Sequence, residues 1–213
     1  MANSNEVRII AGQWRGRKIR FPAGTAIRPT PDRVRETLFN WLAPMIRGAR
    51  VLDAFAGSGA LGLESASRGA TSVVCLETDG RCVTALQDRC REWGASQVEA
   101  VRADALRWLA AARPSNSAPF DLVLLDPPFD ADLWSPVAQR LEEGRWLSPQ
   151  AFVYLEMPAE RALAGLPPTW KPWREGRAGE KFSTTNHCID SLRGEPDINS
   201  IMAIKSDVSH DIQ

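Results

Sequence analysis

The sequence predicts an α/β fold, a Rossmann-like, doubly wound and mostly parallel sheet with a small N-terminal β-hairpin extension. Short apolar segments of strand character alternate with helical segments along most of the 213 residues. A glycine-rich turn follows the first strand of the alternating region, and four successive strands end in an acidic residue. Alternation at this spacing is typical of a parallel sheet covered by helices.

The first fifty residues predict a hairpin followed by a helix. Residues 7–11 and 17–21 have strand character and flank a turn in which Gly16 supplies the conformational freedom. The helix is expected over residues 30–45, because apolar residues recur there at 3.6-residue spacing. Thr30 is its candidate N-cap, since a threonine side chain can accept a hydrogen bond from the first turn.

Beyond this helix, strands and helices alternate. Strands are predicted near residues 50–55, 72–77, 97–102, 120–126 and 151–156, and helices near residues 60–69, 79–93, 104–112, 132–143 and 158–164. We divide the chain into a basic hairpin extension (residues 1–28), an α/β domain (29–180) and a divergent C-terminal tail (181–213). The tail is expected to be poorly ordered, because it becomes polar and loses clear periodicity from about residue 193.

Composition limits the class of protein. With 44% hydrophobic and 24% charged residues, the chain is an ordinary globular protein with room for one α/β domain. It contains no apolar run of roughly 18–20 residues and no charged-then-apolar leader, so we expect a cytoplasmic protein without membrane contact. The four cysteines lack C-x-x-C pairing and are expected to be reduced thiols, and two histidines predict no metal site.

The segment Asp126-Pro127-Pro128-Phe129 ends a predicted strand and combines acceptors with an aromatic ring. Ionised Asp126 and the carbonyl of Pro127 accept hydrogen bonds, whereas neither proline has a backbone N–H. Such a corner suits the planar amino group of a nucleobase, and Phe129 supplies a face on which the base can stack. The alternative is an ordinary strand end, with the prolines as a stiff turn and Phe129 in the core.

The glycine-rich turn makes a functional interpretation stronger. Gly57, Gly59 and Gly62 match G-x-G-x-x-G, a weak signal alone, but Asp53 lies inside the preceding strand. A carboxylate is a poor neighbour for dinucleotide phosphates and a good one for the amino or sulfonium end of S-adenosylmethionine, which has no phosphate. We therefore predict S-adenosylmethionine as cofactor and S-adenosylhomocysteine as product.

Two further acids lie at the ends of predicted strands, as Asp53 and Asp126 do. Glu77 ends the next apolar run, where a doubly wound sheet places an acid on the ribose hydroxyls, and Asp104 ends the third, at the height expected for an adenine contact. Each is open to a second interpretation, as a solvated acid at a helix N-terminus. The order of the four acids favours function, because such strand ends line one crevice.

Charge is unevenly distributed although the net charge is zero. Residues 1–50 carry ten lysines or arginines against three acids, about +7 by count. A basic face on an otherwise acidic protein is the pattern expected for a polyanionic partner, although charge runs are often only solvated surface. Within it, Trp14, Arg15, Arg17 and Lys18 are interleaved with glycines, and we predict that these four contact RNA.

Four blocks together resemble the bacterial RsmD family, whose members methylate the 2-amino group of one guanine in 16S ribosomal RNA. The blocks are VRIIAGQWRGRK (7–18), RPTPDRVRETLFNWL (28–42), DAFAGSGALGLE (53–64) and DPPF (126–129), and the resemblance extends from about residue 6 to 180. It implies a seven-stranded sheet and the assembled small ribosomal subunit as substrate.

The resemblance also implies roles for individual residues. The catalytic residues would be Asp126, Pro127 and Phe129, and the cofactor-binding residues would be Asp53, Phe55, Gly57, Gly59, Glu77, Asp104, Arg28 and Thr30. Arg28 and Thr30 would lie beside the active site. The expected chemistry is direct displacement at the sulfonium methyl, in which Asp126 orients the amine. We expect a monomer by default.

Three other functions remain open. Another amine methyltransferase, acting on adenine or on protein glutamine, would use a closely similar acceptor corner. A nicotinamide-dependent oxidoreductase would use the glycines but leave the corner without a task. A non-catalytic RNA-binding protein of ribosome assembly would not need acidic strand ends.

Overall fold

The fold is described from a computed structural model for residues 6–25, 27, 30–128, 132–158, 165–177 and 199–206, without the side chains of 157–158, 176–177 and 199–206. Within these residues the elements follow one another as β1 Glu6–Arg8, β2 Lys18–Arg20, α1 Asp32–Ile46, β3 Arg50–Asp53, α2 Ala60–Ser67, β4 Ser72–Glu77, α3 Gly80–Trp93, β5 Val98–Arg102, α4 Ala105–Ala110, β6 Phe120–Leu125, α5 Trp134–Glu143, β7 Leu147–Pro158, β8 Trp170–Arg177 and β9 Asn199–Ser206.

The central sheet has seven strands in the order β5-β4-β3-β6-β7-β9-β8. The first five are mutually parallel, and β9 is antiparallel to both of its neighbours. The chain winds outward from β3 in one direction and, after β6, in the other, so β3 and β6 are adjacent at the point where the order reverses. Ligands of open α/β sheets bind at the carboxyl ends of strands at such a point. The predicted doubly wound fold is confirmed.

Helices cover both faces of the sheet. The buried side chains of α1, α2 and α3 pack with the hairpin in one core, and those of α4 and α5 pack in a second core on the opposite face. The hairpin strands β1 and β2 pair in antiparallel register, with Val7 opposite Ile19, and both of these residues are buried in the first core. The extension is therefore packed into the domain.

One buried carboxylate joins the hairpin to the domain. Glu64 on α2 accepts from the backbone N–H groups of Ile10 and Ala11, at 2.7 and 3.0 Å. One turn later, the Ser67 hydroxyl donates to the carbonyl of Ala11 and accepts from the N–H of Trp14, at 2.6 and 2.9 Å. These contacts satisfy backbone groups of a loop that makes no ladder of its own.

Several predicted boundaries change. Thr30 is not the N-cap of α1, because the cap position belongs to Pro31 and has no side-chain hydrogen bond; the Thr30 hydroxyl faces two carboxylates instead. Strand β7 starts four residues before the predicted residue 151, and α4 is shorter than predicted. The helix predicted near 158–164 falls almost entirely outside the described residues.

The prediction of a poorly ordered tail is wrong for residues 199–206. They form β9, which pairs with β7 on one side and β8 on the other. A strand between two neighbours satisfies its backbone groups on both edges, and this pairing does not require the side-chain periodicity on which the prediction depended. Residues 181–198 and 207–213 lie outside the described residues. In the described part of the chain, no helix is long and apolar enough to cross a membrane.

Candidate active site

The carboxyl ends of β3, β6 and β7 bring three acids together. Asp53 pairs in register with Leu124, which pairs with Tyr154 on β7. Two residues further along, Asp126 follows β6 and Glu156 lies beside it on β7. Because side chains alternate between faces of a strand, these acids share the face covered by α1 and α2. The structure thus confirms that the predicted strand ends of β3 and β6 meet at one edge.

The glycine-rich turn is held to the sheet by two strand-end acids, Asp53 and Glu77. Glu77 at the end of β4 accepts from the N–H of Gly57 at 2.8 Å, and Asp53 accepts from the N–H of Gly62 at 2.9 Å. The second oxygen of Glu77 accepts from the N–H of Asp79, also at 2.8 Å. Carboxylates at the N-terminal end of a helix also stabilise its exposed N–H groups.

Glycine is required at these three positions for two different physical reasons. A Cβ on Gly59, where φ is +78°, would lie 2.5 Å from Leu86 Cδ1, and one on Gly62 would lie 2.4 Å from Cys75 Sγ. Packing therefore explains both positions. At Gly57, where φ is +52°, the nearest atoms are those of Ile27 at 3.8 Å. A side chain there would enter the crevice between the turn and Ile27, so the open backbone of Gly57 permits close approach of a ligand.

Asp53 lies below the surface of the crevice and is only 2% exposed. Burial and the charge of Glu77 raise the pKa of Asp53 to about 7, against the opposing effect of the hydrogen bond from Gly62. Asp53 therefore supports the glycine turn from beneath. Its direct contact with a cofactor stays a prediction.

Two further residues of the predicted cofactor site, Asp104 and Phe55, have other contacts in the described structure. Asp104 is exposed and is the N-cap of α4, where it accepts from the N–H of Arg107 at 2.9 Å. This is the second interpretation given for it above, and it leaves the carboxylate free for further contacts. Phe55 is half-buried against the core on the α4 side. The cofactor contacts of both residues stay predictions.

The acceptor corner follows β6 directly. Asp126 is half-buried, Pro127 is buried and Pro128 is exposed. Burial, together with the charges of Glu156 and Asp53, raises the pKa of Asp126 well above its ordinary value, against the opposing effect of the hydrogen bond from Thr30. The hydroxyl of Thr30 lies 3.4 Å from Asp126 Oδ2, which places Thr30 beside the corner, and its contact with a cofactor stays a prediction. Phe129 and Arg28 lie outside the described residues.

Sequence reasoning missed Glu156 and Tyr154. Glu156 is 4% exposed, and one of its oxygens lies 3.2 Å from the Thr30 hydroxyl and 2.9 Å from the Tyr154 hydroxyl. Burial and the charge of Glu156 raise the pKa of Tyr154, which is therefore a hydrogen-bond donor to this carboxylate. The signal was present, because Glu156 ends an apolar strand in the same way as Asp53 and Asp126.

The hairpin presents a basic surface. Arg15, Arg17 and Lys18 are exposed, with the guanidinium of Arg17 over the ring of Trp93 at 5.5 Å and Lys18 paired with Glu6 at 2.7 Å. The prediction that Trp14 contacts RNA is wrong. Its side chain is 2% exposed and packs on Trp93 at 5.6 Å between ring centroids, so the indole has no free face for a base.

Within the described residues, the crevice at the switch point of this doubly wound sheet is lined by carboxylates, which fits a cofactor without phosphate. Its residues are also compatible with the size and polarity of S-adenosylmethionine, because the backbone is open at Gly57 and Glu77 has a half-buried carboxylate beside it. These features define the class of the α/β methyltransferases.

Comparisons identify the family within this class. The family model described as Conserved hypothetical protein 95 matches residues 7–186. Ribosomal RNA small subunit methyltransferase D of Escherichia coli is 42% identical over 179 residues, 84% of this chain and 88% of that protein. The Haemophilus influenzae protein of the same name is 42% identical over 82% of this chain and 90% of its own length. The chain therefore belongs to this family, which confirms the resemblance to RsmD.

Solved structures agree with this assignment. The Escherichia coli protein yhhF superposes with a TM-score of 0.79 at 37% identity, covering 96% of this chain and 99% of that one. The Thermus thermophilus 16S rRNA N2 G1207 methyltransferase, solved with AdoMet and guanosine, superposes with a TM-score of 0.57 over 94% of this chain and 49% of its own. At 22% identity, the second neighbour supports the fold alone.

Proposed function

We propose that this protein transfers a methyl group from S-adenosylmethionine to the exocyclic 2-amino group of a guanine in small-subunit (16S) ribosomal RNA. The observation that carries the proposal is the acceptor corner after β6, where half-buried Asp126 precedes buried Pro127 at the switch point of the sheet. Relatives that are 42% identical over most of this chain are named for methylation of small-subunit ribosomal RNA.

The cofactor site is formed by the glycine turn and the strand-end acids. Gly57 offers open backbone, Glu77 offers a carboxylate for the ribose hydroxyls, and exposed Asp104 offers one for the adenine amine. Asp53 acts mainly through Gly62, because its own carboxylate is almost fully buried. Phe55, Gly59, Thr30 and Arg28 complete the proposed surroundings. When bound, S-adenosylmethionine supplies an electrophilic methyl group on a positively charged sulfur and leaves as S-adenosylhomocysteine.

The corner orients the amine. Ionised Asp126 and the Pro127 carbonyl accept the two N–H bonds of the amino group, which directs the nitrogen lone pair toward the methyl carbon. With the cofactor bound, the N–C bond would form as the C–S bond breaks, and the electron pair of that bond would stay on sulfur. The nitrogen then loses one proton to the Asp126 carboxylate. Phe129 is proposed to stack on the flipped guanine, a contact worth ~1–3 kcal/mol for a base on an aromatic ring.

The basic hairpin is proposed to bind the RNA backbone. Arg15, Arg17 and Lys18 are exposed on the same extension and can neutralise phosphates, the interaction that supplies most non-specific affinity for nucleic acid. The assembled small subunit, as a fixed arrangement of phosphates, is the proposed substrate, and the protein is proposed to act as a monomer.

Methyl transfer from labelled cofactor to small subunits that lack the modification tests the proposal. We expect label in 16S RNA as N2-methylguanine after digestion, with no transfer to adenine-containing DNA or to a glutamine peptide. Label on either of those control substrates would favour the wider class of amine methyltransferases. Subunits that remain unlabelled under conditions where S-adenosylhomocysteine binds would contradict the proposal.

The role of Asp126 has a separate test. Asp126→Ala removes the oxygen that orients the amine but leaves the glycine turn intact, so turnover should fall by at least ~1000-fold while affinity for S-adenosylhomocysteine stays within about threefold. Turnover assays and calorimetry measure the two quantities. Asp88→Ala, at an exposed position of α3, is the control and should behave as wild type. Equal loss of turnover and affinity would show that Asp126 binds the cofactor.

A further inference from the structure

Glu156 is a buried carboxylate with no part in the mechanism above. It lies on β7 in the position next to Asp126 on β6, one step beyond the Leu125–Leu155 register pair. Only 4% of Glu156 is exposed, although a charged group is costly to bury without partners. Tyr154, two residues earlier on the same strand, donates its hydroxyl hydrogen to Glu156 at 2.9 Å. The carboxyl group is thus fixed in place.

Thr30 links the two acids. Its hydroxyl oxygen is 3.2 Å from Glu156 Oε2 and 3.4 Å from Asp126 Oδ2. The backbone of Thr30 is itself held, because its carbonyl accepts from Nε of fully buried Arg35 at 3.3 Å. A hydroxyl has one hydrogen, so it can donate to one of these carboxylates only. Both contacts become favourable when one of the two acids is protonated and donates to the hydroxyl oxygen.

We propose that Glu156 is a positioning residue for methyl transfer, which holds one proton in common with Asp126 across the hydroxyl of Thr30. The proposal rests on the proposed function, because it assigns Glu156 a role at the same corner. Two like carboxyl groups at close range generally retain one proton between them, since both cannot ionise cheaply.

The surroundings of Asp126 favour this arrangement. Glu156 and Tyr154 face it from β7, Asp53 from β3, and Thr30 from the segment before α1, with Arg35 behind Thr30. Burial and the charges of Glu156 and Asp53 oppose ionisation of Asp126, and the hydrogen bond from Thr30 favours it. When the amine binds, its N–H groups favour ionised Asp126, and the shared proton moves to Glu156.

The proton balance of the reaction follows. After methyl transfer the nitrogen loses one proton to Asp126, and an O–H bond forms as the N–H bond breaks. The two carboxyl groups then hold two protons, and one leaves to solvent from half-buried Asp126 to restore the starting state. Neutral Asp126 accepts fewer hydrogen bonds from the methylated amine, which assists product release.

The test is the pH dependence of kcat with unmodified small subunits, because a purely structural role would not move it. Glu156→Gln binds no proton, so it should remove the alkaline limb that loss of the shared proton produces, while the acidic limb stays within about half a unit of wild type because Glu156 is already neutral in the reactive state. Thr30→Val removes the hydrogen bond to ionised Asp126, so the acidic limb should move to higher pH by about half a unit to one unit. Thr30→Ser keeps the hydroxyl and should restore the wild-type limb.

Controls separate the possible outcomes. Glu143→Gln removes an exposed carboxylate at the last residue of α5, at the opposite end of the sheet from the corner, and should leave the acidic limb unchanged. Uniform loss of kcat at every pH in both Glu156→Gln and Thr30→Val would overturn the inference. If Glu156→Gln does not fold, an unmoved acidic limb in Thr30→Val overturns it alone. A wild-type enzyme that binds S-adenosylhomocysteine but methylates no subunits contradicts the proposed function instead.

Discussion

Glu64→Gln should destabilise the whole protein, because the carboxylate is the joint between the hairpin and α2. Glu64 is 0% exposed, accepts from the backbone of Ile10 and Ala11, and pairs with Arg68 at 2.6 Å. Fully buried Arg35 lies 3.9 Å away. Glutamine has nearly the same shape but one acceptor oxygen, so its amide group would face a donor that the carboxylate now satisfies.

The size of the effect follows from burial. Breaking a buried ion pair on one side costs ~3–5 kcal/mol, because the remaining charge is left without compensation. For a chain of this length each kcal/mol lowers the melting temperature by roughly 2–4 °C, so the expected loss is roughly 6–20 °C. Glu6→Gln is the matched control, since it removes a carboxylate from the same hairpin whose pairing with Lys18 is solvent-exposed. Exposed pairs contribute ~0–1 kcal/mol.

Urea denaturation and thermal melting of both variants measure this difference. Amide hydrogen exchange adds local information, because the N–H groups of Ile10 and Ala11 should lose protection in Glu64→Gln and keep it in Glu6→Gln. Ribosomal RNA affinity should fall in Glu64→Gln only, as the basic surface loses its fixed position. A Glu64→Gln protein that melts within about 2 °C of wild type would refute the view that this joint is a stabilising ion pair.

Three further predictions follow from individual residues. Because the pKa of Asp53 is raised in the folded protein, proton binding there adds to the free energy of unfolding; this contribution is fully present below about pH 4 and is lost as pH rises through about 7. Asp53→Asn should therefore gain stability relative to wild type across that interval, by up to about 4 kcal/mol in urea titrations. A stability difference that stays constant with pH would contradict the assignment. Gly57→Ala should weaken S-adenosylhomocysteine binding at least tenfold in calorimetry, whereas Gly48→Ala, which has a similar positive φ and nothing within 4 Å, should not; equal affinity would remove Gly57 from the cofactor site. Replacing Arg15 and Arg17 with glutamine should reduce the slope of log affinity for RNA against log salt concentration by about two, without loss of stability. Trp14→Ala should instead cost ~3–5 kcal/mol of folding free energy, because its ring is buried. The reverse pattern would show that Trp14 belongs to the RNA-binding surface.

The sheet and its crevice could be predicted because both depend on local patterns. Each parallel strand is a short apolar run, and strands joined through helices place their carboxyl ends at one edge. Asp53, Glu77 and Asp126 were therefore found from sequence. Glu156 obeys the same rule at the end of β7, and its partners Tyr154 and Thr30 were identified only when the register of β6 and β7 and the approach of the segment before α1 were known.

Other features depend on contacts between distant residues. Trp14 lies in a loop rich in glycine and arginine, a composition typical of RNA contacts, yet its ring packs on Trp93 from the end of α3. Strand β9 has two polar ends and follows a long segment without periodicity, and its place is determined by pairing with β7 and β8. Strand preference depends strongly on the neighbours that cover a segment, which a single sequence does not supply.

The acids at the crevice oppose folding, and this opposition is itself an argument for function. Asp53 and Glu156 are almost fully buried, and the charges of both raise the pKa of Asp126. A core selected for stability alone would replace such groups with apolar residues of similar size, because buried like charges are costly. Glu64 differs, since it is buried beside cations and joins two parts of the fold. Glu64 therefore stabilises the folded protein, whereas the acids at the crevice would themselves be stabilised by a bound substrate that has N–H donors.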